Sequence, residues 1–132
     1  MRYKARLRAQ GFTQRPGIDF NETYSPVMSE ITFRYLISLA IQKCLSMQLM
    51  DVVTASLYGS LYSDIYMKVP DGISVLNSSA NHNMYCVKLK RSLYGLKQLG
   101  RMWYNRLSEY LIQKGYFNND DCPWVFIKRS ST

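Results

Sequence analysis

The alternation of apolar and polar side chains over residues 45–51 predicts a short β-strand that ends in a carboxylate. Leu45, Met47 and Leu49 fall on one face of this strand, and Asp51 follows them in the same register. Because burying an unpaired charge is costly, the Asp51 carboxylate must reach water, a cation or hydrogen-bond donors at the rim of the sheet. Two interpretations follow: Asp51 is a ligand for a hard cation such as Mg²⁺, or it only caps the next turn.

The residues after Asp51 predict a tight turn. Thr54 is suited to cap a short helical turn that runs through Leu57, and Gly59 is suited to the left-handed conformation that ends such a turn. A rigid turn of this kind would hold the carboxylate in place at the tip of the strand.

A second alternating pattern covers the first nine residues and predicts a strand with one basic face. Its basic positions are Arg2, Lys4, Arg6 and Arg8. Such a strand would place its cations about 6.5 Å apart, which is close to the repeat of a nucleic-acid backbone. It would equally serve as an edge strand that its charges protect from pairing with other chains. The pattern leaves both interpretations open.

Apolar positions at helical spacing predict two helices. Ser29 is suited to cap the first, which covers residues 31–44 and is expected to pack on the sheet. The second covers about residues 100–114 and ends at Gly115, because glycine tolerates the left-handed conformation at a helix end. The apolar stripe of the second helix consists of Trp103, Leu107, Tyr110 and Leu111.

Three further segments, residues 65–69, 84–91 and 124–128, predict strands because their side chains alternate or are rich in strand-forming types. A Pro-Asp-Gly turn follows the first of these segments. Helices and strands without an internal repeat indicate an α+β fold in a single domain.

The composition argues against a membrane-spanning, secreted or disulfide-rich protein. Of the 132 residues, 47% are hydrophobic, yet no run approaches the roughly 18 apolar residues that a membrane helix needs. The basic, polar N-terminal segment is unlike a signal peptide, so the expected location is intracellular, in the cytoplasm or the nucleus. Three widely spaced cysteines indicate neither a disulfide framework nor a zinc site.

The net charge of +8 is concentrated in the second half of the chain. Residues 1–66 carry seven Lys/Arg and five Asp/Glu, a balance of +2, whereas residues 67–132 carry ten and four, a balance of +6. A basic chain with 14% aromatic residues fits a nucleic-acid partner, since phosphates attract cations and rings stack on bases. A basic soluble domain without such a partner has the same composition. Candidate phosphate contacts are Lys88, Lys90, Arg91, Lys97 and Arg101.

Several motifs along the chain carry a resemblance to a known family. They are Lys4-Ala5-Arg6-Leu7, Asp51-Val52-Val53-Thr54-Ala55, Leu57-Tyr58-Gly59, Asp64-Ile65-Tyr66-Met67, and Ser92-Leu93-Tyr94-Gly95-Leu96-Lys97-Gln98 with Arg101 and Trp103. In their order and spacing they resemble the reverse transcriptase of copia-type LTR retrotransposons, and more closely that of the yeast Ty elements. The resemblance covers essentially all 132 residues.

The resemblance implies the right-hand fold of a polymerase, with this chain as its fingers and partial palm, in which helices pack on a small antiparallel sheet. Residues 1–132 would form one partial reverse transcriptase domain. Within it, residues 1–45 would supply a fingers strand, loop and helix, and residues 46–132 the start of the palm with inserted fingers elements. The implied partner is an RNA or DNA template-primer rather than a membrane, and association with a full-length polymerase is a further expectation.

The resemblance also assigns roles to individual residues. Asp51 matches the first metal-binding catalytic aspartate, and Mg²⁺ is the implied metal of the intact family. Lys4 or Arg6 resembles the basic fingers strand over the phosphates of the incoming nucleotide. Tyr94 and Gly95 match the loop and helix that support the base and the template.

Two departures from the family pattern lead to the expectation of an inactive chain. The Tyr-x-Asp-Asp hairpin that supplies the family's other carboxylates does not occur here, whereas two-metal phosphoryl transfer needs several carboxylates. Ser56 stands where the family has a bulky aromatic ring beneath the nucleotide sugar. We therefore expect a truncated polymerase fragment that is inactive alone and holds no Mg²⁺ stably. A noncatalytic basic nucleic-acid-binding module and an unselected relic are the alternatives.

Overall fold

Two α-helices and four short strands make up the regular structure of this chain. The computed structural model describes residue 3, residues 5–73 and residues 85–129, without the side chain of Ser56. In chain order the elements are α1 (Glu30–Gln42), β1 (Tyr66–Lys68), β2 (Cys86–Lys88), α2 (Leu99–Gln113), β3 (Phe117–Asn118) and β4 (Phe126–Ile127), with 3₁₀ helices at Gly11–Thr13 and Ala55–Tyr58. The predicted α+β class is confirmed.

The strands pair as two separate antiparallel ribbons. Met67 of β1 lies opposite Val87 of β2, and Phe117 of β3 lies opposite Ile127 of β4. Each of the three segments predicted as strands contains one, although each observed strand has only two or three residues. The sequence did not predict β3, which pairs with β4 immediately after α2.

Helix α1 begins where the sequence predicted. The Ser29 hydroxyl accepts a hydrogen bond of 3.1 Å from the backbone N–H of Thr32, which satisfies one of the unpaired donors in the first turn. However, none of the residues of α1 is buried, and Ile31 and Tyr35 are exposed. The predicted packing of this helix on a sheet is therefore not observed. Within the described residues, no helix combines the length and apolar character needed to cross a membrane.

Helix α2 ends in a Schellman motif, as the glycine at its C-terminus predicted. Gly115 has a φ of 81°, its N–H donates to the carbonyl of Ile112, and the N–H of Tyr116 donates to the carbonyl of Leu111. The N-terminal half of the helix contacts the rest of the chain most closely, since Met102 is its one buried residue. The 3₁₀ helix Ala55–Tyr58 packs against α2.

Two predicted strands are absent. Residues 45–51, expected to form a strand ending at Asp51, have no regular secondary structure, and the side chain of Leu49 is 100% exposed. The described residues among 1–9 likewise form no strand. The physical reason is the same in both places: a strand must pair its backbone groups along a neighbouring strand. Ala9 makes one backbone hydrogen bond to Tyr94, but no described strand pairs with either segment.

The turn after Asp51 forms, but not by the predicted chemistry. Thr54 adopts the left-handed conformation with a φ of 55° and its side chain makes no capping hydrogen bond, whereas Gly59 is extended with a φ of −63°. Glycine is needed at 59 for a different reason. A Cβ there would lie 2.8 Å from both the Cβ of Met102 and the Oγ of Ser92. Gly59 thus allows the backbone after the 3₁₀ helix to approach α2.

The buried core is small for a chain of this length. Ile65, Leu96 and Met102 are the buried hydrophobic residues of the described part, and Ser92 and Gln98 are buried beside them. The accessible surface is 11460 Å², against about 7200 Å² for a compact monomer of 15.4 kDa. The excess means that many apolar side chains lie at the surface of this chain rather than in a core.

Candidate nucleotide and nucleic-acid site

Residues 9–14 lie against the loop of residues 92–98, about eighty positions further along the chain, and we call this contact the N-terminal clasp. The backbone N–H of Ala9 donates to the carbonyl of Tyr94 at 2.7 Å. Gly95 has a φ of 94°, and a Cβ at this position would collide with the carbonyl of Ala9. A Cβ on Gly11 would collide with the carbonyl of Gly95. Glycine at both positions therefore lets the two backbones touch.

Two glutamines extend the N-terminal clasp toward the start of α2. The side-chain amide of Gln14 donates to Oε1 of Gln98 at 3.1 Å, and Oε1 of Gln14 accepts from the backbone N–H of Lys97 at 2.8 Å. Nε2 of the buried Gln98 also donates to the carbonyl of Asp19 at 3.4 Å. Because a buried amide must be hydrogen-bonded, these contacts fix the loop that enters α2 against the N-terminal segment.

Three of the residues predicted to contact a nucleotide lie in the N-terminal clasp or directly beside it. The guanidinium of Arg6 lies 5.9 Å from the ring centroid of Tyr94, within the range of a cation–π contact, and Gly95 follows in the same loop. Lys4 lies outside the described residues, as does the side chain of Ser56, so their predicted roles stay predictions. The structure brings Arg6, Tyr94 and Gly95 together although they are about ninety positions apart.

Lys88, a predicted phosphate contact, forms an ion pair with an acidic neighbour. Its Nζ lies 2.6 Å from Oδ2 of Asp64 and 5.9 Å from the ring centroid of Tyr66. The hydrogen bond that the Lys88 ammonium donates to the Asp64 carboxylate raises the pKa of Lys88 above its ordinary value. Any stability from this exposed pair is therefore present at neutral pH and is lost only as the pH rises through that raised pKa.

The other predicted phosphate contacts divide into two groups. Arg101 forms an ion pair with Glu22 and donates to the carbonyl of Tyr24 at 3.2 Å, so it ties the loop before α1 to α2. Lys97 lies over the ring of Phe20, with 5.1 Å between Nζ and the ring centroid. In contrast, the side chains of Lys90 and Arg91 are exposed at the end of the first ribbon. Of the predicted phosphate contacts, Lys90 and Arg91 are therefore the most available to bind a phosphate.

A depression of about 660 Å³ lies beside the N-terminal half of α2. Its polar lining includes Asp19, Glu22 and Arg101, and Tyr62 accepts a hydrogen bond of 3.1 Å from the side-chain amide of Asn105. Glu22 pairs with Arg101, and Asp19 pairs with Arg15 at 3.7 Å, so each charged side chain that lines the depression already has a partner of opposite charge. It is an open gap between the loop of residues 17–22 and the helix.

Asp51 is exposed and lies in an irregular segment rather than at the tip of a strand. Among the residues that the structure describes, no three His, Cys, Asp or Glu side chains lie close enough together to hold a metal ion. Mg²⁺ prefers several oxygen ligands in near-octahedral geometry. The donor set around Asp51 within the described residues therefore does not fit a magnesium site on its own.

Sequence reasoning missed the residues that hold the site together. Gln14, Gln98 and Glu22 lie in loops, and their partners are between 79 and 84 positions away. A lone polar residue in a loop carries no periodic signal, so only the folded chain identifies these contacts. Gln98 alone had a sequence signal, because it belongs to a recognised motif.

Replacing Gly95 or Gly11 with alanine is expected to open the N-terminal clasp. The new Cβ would overlap a backbone carbonyl in each case, and Gly95 would also be strained at positive φ, so we expect a loss of about 2 kcal/mol or more. Hydrogen exchange of the Ala9 amide measures the opening directly. Gly100→Ala is the matched control, because its Cβ would meet Ser25 at an ordinary 3.4 Å. Unchanged protection of the Ala9 amide in both Gly95→Ala and Gly11→Ala would contradict the close approach of the two backbones.

Residues 1–131 match the family described as reverse transcriptase (RNA-dependent DNA polymerase). The chain is 42% identical over 131 residues to the retrovirus-related Pol polyprotein from transposon TNT 1-94 of Nicotiana tabacum, covering 99% of this chain and 10% of that protein. It is 41% identical over 126 residues to the Pol polyprotein from transposon RE1 of Arabidopsis thaliana, covering 96% and 8%.

A yeast transposon protein is a more distant relative of this chain. The Gag-Pol polyprotein of transposon Ty1-H from Saccharomyces cerevisiae is 32% identical over 117 residues, covering 85% of this chain and 6% of that protein. The chain therefore spans a tenth or less of the length of these curated relatives. No solved structure matches it significantly.

Proposed function

Because this chain belongs to the reverse transcriptase (RNA-dependent DNA polymerase) family, we propose that it forms the fingers and the first part of the palm of a retrotransposon polymerase. The observation that carries the proposal is the family match over residues 1–131, with copia-type and Ty1 Pol polyproteins among the relatives. Residues 1–45 then correspond to the fingers strand, loop and helix. Residues 46–132 correspond to the start of the palm with its inserted fingers elements.

Within this polymerase, the N-terminal clasp orients the residues that face the incoming nucleotide. Arg6 supplies a cation toward its phosphates, and Tyr94 and Gly95 support the base and template. The cation–π contact between Arg6 and Tyr94 and the close approach of Ala9 to Gly95 support this assignment, because they hold both segments in one place. Lys90 and Arg91 contact the phosphates of a template-primer, which their exposure supports.

Asp51 supplies one carboxylate to a metal-binding set that the described residues do not complete. The family is generally metal-dependent, and a two-metal site needs carboxylates from more than one segment. The 132 residues contain no Tyr-x-Asp-Asp motif. We therefore infer that this chain, by itself, does not synthesise DNA and that RNA-directed synthesis belongs to the longer protein.

The proposal is tested with a chimeric polymerase. This chain replaces the aligned segment of a copia-type reverse transcriptase domain, and extension of a DNA primer on an RNA template is measured with Mg²⁺. We expect the chimera to retain template-dependent synthesis, because the replaced segment supplies the same fingers and palm elements. A chimera carrying a shuffled 132-residue segment is the control. Equal failure of both chimeras, with correct folding of the remaining domain, would contradict the proposal.

A second candidate function is binding of nucleic acid without catalysis. The exposed side chains of Lys90 and Arg91 favour it, since two cations that form no ion pair with any described residue attract a phosphate backbone. Template-dependent synthesis by the chimera would favour the polymerase role over binding without catalysis.

A further inference from the structure

A basic and aromatic cluster lies at the open end of the second ribbon, where α2 ends and β4 leaves the ribbon. We call it the ribbon patch, and it consists of Tyr110, Lys114, Tyr116, Phe117, Lys128 and Arg129. The Schellman motif at Gly115 turns the chain from α2 into β3, and the pairing of Phe117 with Ile127 brings residues 128 and 129 back beside it. The fold thus gathers cations that are well separated in sequence.

Each cation of the ribbon patch lies over an aromatic ring. Nζ of Lys114 is 5.7 Å from the ring centroid of Tyr110, and Nζ of Lys128 is 5.5 Å from that of Tyr116. The guanidinium carbon of Arg129 is 5.7 Å from the ring centroid of Phe117. All three distances fall within the range of cation–π contacts, so the charges are held in place by rings rather than by carboxylates.

No carboxylate among the described residues forms an ion pair with these three cations. The nearest acid on α2, Glu109, lies 3.9 Å from Arg106 instead, and Asp120 and Asp121 lie in the turn at the opposite end of the ribbon. The helix dipole accounts for one cation at the C-terminus of α2, which is Lys114. It does not account for Lys128 and Arg129, which belong to another segment. The ribbon patch therefore carries three cations without a carboxylate partner among the described residues, and the helix dipole accounts for only one of them.

The rings of the ribbon patch are accessible to a ligand. The side chains of Tyr110 and Phe117 are 54% and 43% exposed. An open depression of about 500 Å³ is lined by Gly115, Phe117 and Arg129. Exposed rings beside cations are the combination that binds single-stranded nucleic acid, because bases stack on the rings while phosphates contact the cations.

The ribbon patch is distinct from the site described above. The N-terminal half of α2 contacts the 3₁₀ helix after Asp51 through Met102 and Gly59, whereas the ribbon patch begins at Lys114. Lys114 lies twelve positions after Met102 along the helix axis, which corresponds to about 18 Å. Arg101, at the N-terminal end of α2, is already paired with Glu22.

We propose that the ribbon patch binds a single-stranded stretch of nucleic acid, with phosphates on Lys114, Lys128 and Arg129 and bases stacked on Tyr110 and Phe117. A duplex fits less well, because its bases are already stacked and hidden from the rings. An acidic peptide would use the cations but not the rings. The proposal does not depend on polymerase activity, since the patch requires no metal and no downstream carboxylate.

The test is fluorescence anisotropy of a labelled 20-nucleotide single strand with the 132-residue chain at nanomolar concentration, from 50 to 200 mM salt. For the triple variant Lys114→Gln, Lys128→Gln and Arg129→Gln, we expect the slope of log K against log salt to fall by about 2. For Tyr110→Ala with Phe117→Ala, we expect an affinity loss of about tenfold or more. The matched control is Arg34→Gln with Lys43→Gln and Lys68→Gln, which removes the same charge elsewhere.

The expected result is a larger loss in both patch variants than in the control, with unchanged far-ultraviolet circular dichroism. Tighter binding of the single strand than of the same sequence as a duplex would agree with stacking on the rings. Three results would overturn the proposal: an equal loss in the control, unchanged affinity after removal of both rings, or equally tight binding of poly-glutamate. In the chimeric polymerase, the patch variants test this binding separately, because they leave the segment of Asp51 unchanged.

Discussion

Asp51→Asn in the chimeric polymerase is expected to lower primer extension about 1000-fold or more. A metal ion contributes several kcal/mol to phosphoryl transfer by stabilising charge in the transition state, and each 1.36 kcal/mol is a tenfold change in rate. Asparagine keeps the size of the side chain but removes its charge, so the metal-binding set loses a ligand without a change in packing. Because Asp51 is exposed, its replacement by asparagine is not expected to impair folding. Such a loss of extension would therefore reflect the missing metal ligand.

The control for this variant is Asp71→Asn, which removes an exposed carboxylate from the turn after β1. It is expected to leave extension within about twofold, since surface changes away from a site have small effects. The isolated 132-residue chain is expected to give no extension with Mg²⁺ or Mn²⁺. Extension by Asp51→Asn within tenfold of the parent chimera would show that Asp51 is not a metal ligand.

The isolated chain is expected to self-associate and to unfold over a broad temperature range. Met47, Leu49 and Met50 are 54%, 100% and 84% exposed, and α1 adds further exposed apolar side chains beside them in the sequence. Covering each such side chain contributes about 1.5 to 3 kcal/mol, which is comparable with the roughly 5 to 15 kcal/mol stability of a whole domain. The chain buries only about half of the surface of an extended chain of its mass, compared with about 68% for a typical domain of this length.

Light scattering during size-exclusion chromatography and a thermal melt measure this behaviour. Leu49→Lys with Met50→Lys is expected to reduce association, because charges on the exposed segment oppose contact between chains. The matched control, Ser46→Lys with Gln48→Lys, adds the same charge to the same segment without removing apolar surface. A chain extended through the downstream hairpin of a relative is expected to be monomeric and to melt cooperatively. A monomeric parent chain with an equally sharp and high melt would contradict the expectation.

Local sequence was sufficient to predict the helices. Ser29 and Gly115 mark their ends because a hydroxyl cap and a left-handed glycine satisfy backbone groups within a few residues. The turn after β1 was predictable for the same reason, since Gly72 has a φ of 83° there. The motif around Tyr94 and Gly95 located the candidate site, although it did not reveal what these residues contact.

Contacts between distant segments could not be predicted, because each depends on a partner that no local pattern specifies. The alternation of residues 45–51 is compatible with a strand, but strand formation requires a neighbour and none is present among the described residues. Gly59 was predicted as a turn glycine, yet its role is to admit Met102 of α2. Lys88 and Arg101 were both predicted to be available for phosphates, and folding pairs them with Asp64 and Glu22. Hydrogen bonding within a few residues thus determined the helices and turns, whereas close approach and charge pairing across the chain determined which residues remain available to bind a ligand.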